Sequence, residues 1–155
     1  MSEKTMRERL QESLKDAVKS RRPVDTATLR LILAALKDRD IAARSKGNQE
    51  GIPDSEVMQM LAGMVKQREE SITLYEQGGR LELAEEERLE IEVIRRFLPE
   101  PMSAAEMEKA VDEVLMDERA ASLKDMGRVM AALRTGYAGR MDFGAASAIV
   151  KQRLG

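Results

Sequence analysis

The sequence predicts an all-α protein: an N-terminal helical domain with a long helical hairpin over residues 1–98, then a small three-helix tail domain over residues 99–155. Three observations predict it. Apolar residues recur at helical spacing in segments bounded by capping residues, prolines and glycines, and no stretch alternates polar and apolar residues over a strand's length. The chain is 43% hydrophobic but 3% aromatic, with 11 methionines, so its core must be aliphatic and methionine-filled, which suits helix packing better than a sheet sandwich. Leu98-Pro99-Glu100-Pro101-Met102 cannot continue a helix, because two prolines remove two amide donors and stiffen the backbone, and the domain boundary is placed there.

In order, Met6, Leu10, Leu14, Ala17 and Val18 share one face of a first helix over Thr5 to Lys19, which Arg21-Arg22-Pro23 ends. Asp25 is the expected N-cap of a second helix carrying Leu29, Ile32, Leu33, Leu36 and Ile41. Ser45 to Gly51 is a polar, glycine-punctuated loop expected to be mobile. Pro53-Asp54-Ser55 opens a third helix that stops at Gly78-Gly79. Arg80 opens a fourth, acidic one with Leu81, Leu83, Ala84, Ile91, Val93, Ile94, Phe97 and Leu98 as its apolar set. Two glycines between long helices make these an antiparallel hairpin. Beyond the prolines, Ser103 with Glu106 is a capping box before Met107, Ala110, Val111, Val114 and Leu115. Ser122 with Asp125 starts the next helix, which stops at Gly136, and Asp142 leads into the last, Phe143 to Leu154.

Composition excludes much chemistry. With no cysteine there is no disulfide and no thiolate nucleophile or metal ligand, which fits a reducing compartment. With no histidine there is no imidazole relay or ligand. No apolar run is long enough to span a membrane, and charges of both signs from Ser2 onward do not make a signal peptide. The expectation is a cytoplasmic protein with no membrane association, no metal and no cofactor. A net charge of −2 gives no global attraction to polyanions, so any such binding must be local.

Several constellations have a functional and a bland reading. Glu82, Glu86 and Glu90 could bind Mg²⁺ or act as acid and base, but glutamates at that spacing also make a solvated helix face. Lys66-Gln67-Arg68 could anchor a phosphate, against an ordinary Lys66–Glu70 pair one turn apart. The methionines could mark an adaptable docking surface, or fill the core.

The most informative stretch is Ser122 to Leu154. Lys124, Arg128, Arg134, Arg140, Lys151 and Arg153 are opposed there only by Asp125 and Asp142, a local surplus of about four positive charges. Gly136-Tyr137-Ala138-Gly139 resembles the GxxG loop with which KH modules clamp a nucleic-acid backbone, although KH modules need flanking strands, and paired glycines also serve simple turns. Gly136 and Gly139 would permit close approach, and Tyr137 would stack on a base or ribose. One platform is too few for single-strand readout, so RNA bound here is expected to be folded and held through phosphates and shape.

The chain resembles the YqeY-like proteins, relatives of the C-terminal tail domain in the B subunit of the glutamine-dependent aminoacyl-tRNA amidotransferase. The residues that carry the resemblance are Leu29-Arg30 with Ala34-Ala35-Leu36-Lys37, Lys66-Gln67-Arg68 with Ser71, and Gly79-Arg80 with Leu83-Ala84, Glu87 and Glu90. They continue through Leu98-Pro99, Asp125-Met126-Gly127-Arg128-Val129-Met130, Gly139 with Asp142, and Val150-Lys151. The resemblance implies an all-helical protein whose three-helix tail is associated with tRNA; for a protein-interaction module the expected partner is a synthetase or amidotransferase subunit. It also carries a label, carbon–nitrogen ligase with glutamine as amido donor. The sequence holds no ATP-binding loop, histidine or cysteine to support that label, so three readings stay open: a non-catalytic tRNA-binding accessory protein, an amidase or amidotransferase acting on aminoacyl-tRNA through carboxylates or Lys66 and Ser71, and a protein-interaction module.

Overall fold

The computed structural model describes residues 4–155, and among these it contains seven α-helices and no strand. They are α1 (Met6–Lys19), α2 (Pro23–Ser45), α3 (Asp54–Gln77), α4 (Leu81–Arg95), α5 (Ala104–Asp117), α6 (Met126–Gly136) and α7 (Phe143–Leu154). The chain forms two compact units that divide between Leu98 and Pro99.

In the first unit, local chemistry sets the helix ends. The Thr5 hydroxyl accepts from the Glu8 amide to start α1. Proline opens α2 at its first position, where a missing amide costs nothing. The N-cap of α2 is therefore Arg22 rather than Asp25. Asp25 sits inside the first turn, where the helix dipole favours its charge, and its side chain is 12% exposed between two arginines. Leu10, Ile32, Val57, Leu61 and Ile94, all fully buried, form the centre of the aliphatic core. Three residues assigned to core faces point outward instead: Val18, Ile41 and Leu81 are about half exposed or more.

Antiparallel packing of α3 on α4 is fixed by charges as well as by the core. Arg68 Nε donates to Glu90 at 2.8 Å and lies 3.9 Å from Glu87, while Glu69 and Glu76 take Arg95 and Arg88 at 2.8 and 2.9 Å. Arg68, not Lys66, carries the pairing of that segment, and Lys66 and Glu70 stay exposed. The Ser71 hydroxyl donates back to the Gln67 carbonyl at 3.2 Å, so it is not turned toward Lys66.

The loop after α2 is pinned where mobility was expected. Asn48 Nδ2 donates to the Gly51 carbonyl, the Ile52 amide donates to Asp40 Oδ1, and Arg7 reaches both Asp40 and the Ile52 carbonyl. Gly51 is buried at φ +86°, and a Cβ there would meet Asp40 Oδ1 at 2.5 Å. Only glycine fits both the backbone angle and the space.

In the second unit, Ser103 and Glu106 form the capping box of α5, and Ser122 and Asp125 form another around a 3-10 turn, Leu123–Asp125, that leads into α6. The Asp142 carboxylate accepts from the Gly144 and Ala145 amides to start α7. Val111, Val129, Leu133, Ala146 and Val150 are fully buried and knit the three helices together.

Candidate nucleic-acid interface

The six cations of residues 122–154 divide into two sets. Arg140 and Arg153 each face a carboxylate of α5, and Arg128 pairs with Glu118, the C-cap residue of α5, and with Asp125. Arg128 Nη1 donates to the Glu118 carbonyl at 2.6 Å and to its carboxylate at 3.1 Å, while Nη2 donates to Asp125 at 3.0 Å. Arg153 Nε donates to Asp112 at 3.1 Å, and Arg140 lies 3.9 Å from Glu106. Glu106, Asp112 and Glu118 mark the start, middle and end of α5, so these arginines are strung over about 18 Å of helix rather than gathered at one point.

Lys124, Arg134 and Lys151 are exposed, and among the described residues none of them has a carboxylate within ion-pair distance. Lys124 stands at the 3-10 turn and Lys151 in the last turn of α7. Arg134, in the last turn of α6, places its guanidinium 6.0 Å from the centre of the Phe143 ring, a cation–π contact that orients the group while leaving its edge N–H donors to solvent.

The turn between α6 and α7 is compact. Tyr137 is half-buried and packs against the core of this unit, so only part of its ring is offered for stacking. Gly139 takes φ +79°, a turn requirement, whereas space around Gly136 is open. The Arg140 carbonyl accepts from the Met102 amide at 3.0 Å and fastens the turn to the segment before α5.

Electrostatics reinforce the division. The Ala121 amide, with Arg128 and the Ser122 amide, holds Asp125 below the usual carboxylate range. The Ser103 amide does the same for Glu106, which Arg140 assists. Both acids are therefore ionised across the neutral range and keep their arginines engaged. Sequence reasoning missed these partners. The signal was present in α5, where Glu106, Glu108, Asp112, Glu113 and Asp117 outnumber Lys109, but which helix faces them is set by packing. Among the described residues no cluster of three or more acidic side chains is placed to hold a metal ion, and Glu90 is committed to Arg68. Among the described residues no helix is long and apolar enough to cross a membrane.

Residues 7–154 match the model of a family described as Yqey-like protein. An uncharacterised protein of Schizosaccharomyces pombe is 31% identical over 94 residues, covering 61% of this chain and 72% of that protein. A Candida glabrata protein named altered inheritance of mitochondria protein 41, mitochondrial, is 32% identical over 98 residues, covering 63% of this chain and 52% of its own length. The chain thus spans about half of that second relative.

Proposed function

Because the chain belongs to the Yqey-like protein family, we propose that it is a tRNA-associated accessory protein that binds folded RNA through the cations of its second unit. The observation that carries this reading is the uneven charge of the unit, with acids concentrated on α5 and three uncompensated cations, Lys124, Arg134 and Lys151, on the segments that follow. Exposed cations without carboxylate partners are the groups a phosphate backbone recruits first, since no existing contact has to be broken. The arginines held by α5 are a reserve. Exposed ion pairs are worth only about 0–1 kcal/mol, so a phosphate oxygen can replace the carboxylate at small cost.

A half-buried Tyr137 as the single aromatic of the turn favours a folded partner over an extended strand. Any compartment that contains tRNA satisfies this reading, cytoplasm or, as in the name of the Candida glabrata relative, mitochondria. Fluorescence polarisation with labelled tRNA and an unstructured oligonucleotide of equal length tests it. Tighter binding of the folded RNA, lost when Lys124, Arg134 and Lys151 are all replaced by alanine, is expected; equal binding of both RNAs, or an unaffected triple variant, overturns it.

A further inference from the structure

Helix α2 is apolar on two sides. Leu29, Ile32 and Leu36 are buried in the core of the first unit, whereas Val24, Leu31 and Ile41 are 41%, 49% and 50% exposed. Ala27 and Ala34, also exposed, fall between them. The order Val24, Ala27, Leu31, Ala34, Asp38, Ile41 alternates steps of three and four residues, the spacing of a coiled-coil seam. At 3.6 residues per turn these positions lie within an arc of about 100° opposite the core face and extend along about 26 Å of helix. The outer face of a surface helix is ordinarily polar, so an exposed apolar seam of this length calls for a cover.

The charges beside the seam define what can cover it. Arg30, Lys37 and Arg44 stand seven residues apart along one edge, all exposed, and among the described residues none has a carboxylate within ion-pair distance. Asp40, one turn from Lys37 and Arg44, is taken by Arg7 and by the Ile52 amide. The other edge, Thr28, Ala35 and Ala42, carries no charge. Asp38 interrupts the seam and is exposed; the residues three and four positions from it are Ala34, Ala35, Ile41 and Ala42, so its own helix offers it no cation.

Simpler occupants fit these charges poorly. Two copies of α2 packed antiparallel set the basic row against itself, and packed parallel they set Asp38 against Asp38. An RNA backbone would leave Leu31 and Ile41 uncovered and bring phosphate toward Asp38, and a lipid surface that took up the seam would bury that carboxylate. A helix with an apolar seam and an acidic flank answers every feature. Its large side chains seat over Ala27 and Ala34, its carboxylates meet the basic row, and one cation meets Asp38.

We propose that the outer face of α2 is a docking surface for an acidic amphipathic helix of a partner protein, packed along Val24, Leu31 and Ile41 with its carboxylates on Arg30, Lys37 and Arg44. The surface shares no residue with the cations of residues 122–154 and does not depend on RNA binding.

The test is NMR titration of the full-length protein, following the Val24, Leu31 and Ile41 methyls. The probes are a synthetic helical peptide of about three heptads with a leucine and isoleucine seam and glutamate flanks, the same peptide with lysine for each glutamate, and phosphatidylglycerol vesicles. The glutamate peptide is expected to shift the three methyls saturably and to bind at least tenfold more tightly than the lysine peptide. Leu31→Asp is expected to weaken it at least tenfold, Leu74→Asp, on α3, to leave it unchanged, and the triple variant Arg30→Glu, Lys37→Glu, Arg44→Glu to reverse the preference between the peptides. The wild-type shifts locate the surface even if a variant fails to fold. Absence of saturable shifts, equal binding of the two peptides, an unaltered affinity in Leu31→Asp, methyl shifts with the vesicles in place of the peptide, or a dimer in sedimentation that Leu31→Asp dissociates overturns the proposal.

Discussion

Arg128 of α6 closes the end of α5, donating from one nitrogen to both the backbone carbonyl and the carboxylate of Glu118. Glu118 is the C-cap of α5, and Arg119 after it adopts φ +52°, so the chain leaves the helix through a left-handed residue that is not glycine. A cation on a C-terminal carbonyl satisfies an orphan acceptor and opposes the negative end of the helix dipole. Arg128→Ala is therefore expected to lower the stability of the second unit by about 1 kcal/mol, read from its denaturation midpoint. An unchanged midpoint would show that the contact contributes nothing, and would return Arg128 to the set of clean probes for RNA.

Gly51 supports the Arg7–Asp40 contact between α1 and α2 by having no side chain. Gly51→Ala is expected to destabilise the first unit by roughly 2 kcal/mol, from a left-handed backbone angle and a collision with Asp40 together. Thermal or urea denaturation measures this. A loss below a few tenths of a kcal/mol would mean that the loop shifts freely and is not pinned.

Thr28 is 1% exposed, and its hydroxyl has no hydrogen-bond partner among the described residues. An unsatisfied buried hydroxyl carries a desolvation cost with no return, so Thr28→Val, of nearly the same shape, is expected to stabilise the protein by about 1 kcal/mol. A destabilised variant would reveal a partner for the hydroxyl, such as a buried water.

Burial pushes the Glu87 carboxyl up, Glu90 and Glu86 push the same way, and Arg68 at 3.9 Å opposes them too weakly to cancel. A carboxyl whose folded value exceeds its unfolded one binds its proton more tightly in the folded state. Its favourable contribution is complete below the ordinary value of 4.5 and is lost as pH rises through the folded value. Glu87→Gln is accordingly expected to match the wild type in acid and to exceed it in stability at neutral pH, as paired melts in acid and neutral buffer would record. The reverse order at neutral pH would show that the Arg68 attraction dominates.

Features governed by neighbours in the chain were legible in the sequence. The capping boxes at Ser103 and Ser122, the N-cap at Asp142 and the helix ends at Gly78 and Gly136 all depend on contacts within about four residues. Charge pairing was not legible, because the relevant partners lie far apart: Arg96 with Asp25 at 71 residues, Arg153 with Asp112 at 41, and Arg68 with Glu90 at 22. Spacing of three or four pointed to Lys66 and Glu70, and tertiary packing chose Arg68 instead. The same distance in sequence hid the arrangement by which half of the tail cations are engaged with α5.

The salt dependence of tRNA affinity tests the central claim most directly. Each phosphate neutralised on a duplex contributes about −0.9 to the slope of log K against log salt, so three free cations predict a slope near −3, rising toward −5 if the arginines of α5 are exchanged onto phosphate. Replacing Lys124, Arg134 and Lys151 together should bring the slope close to zero or leave only the contribution of those arginines. A wild-type affinity indifferent to salt, or a slope that the triple replacement leaves unchanged, would contradict it.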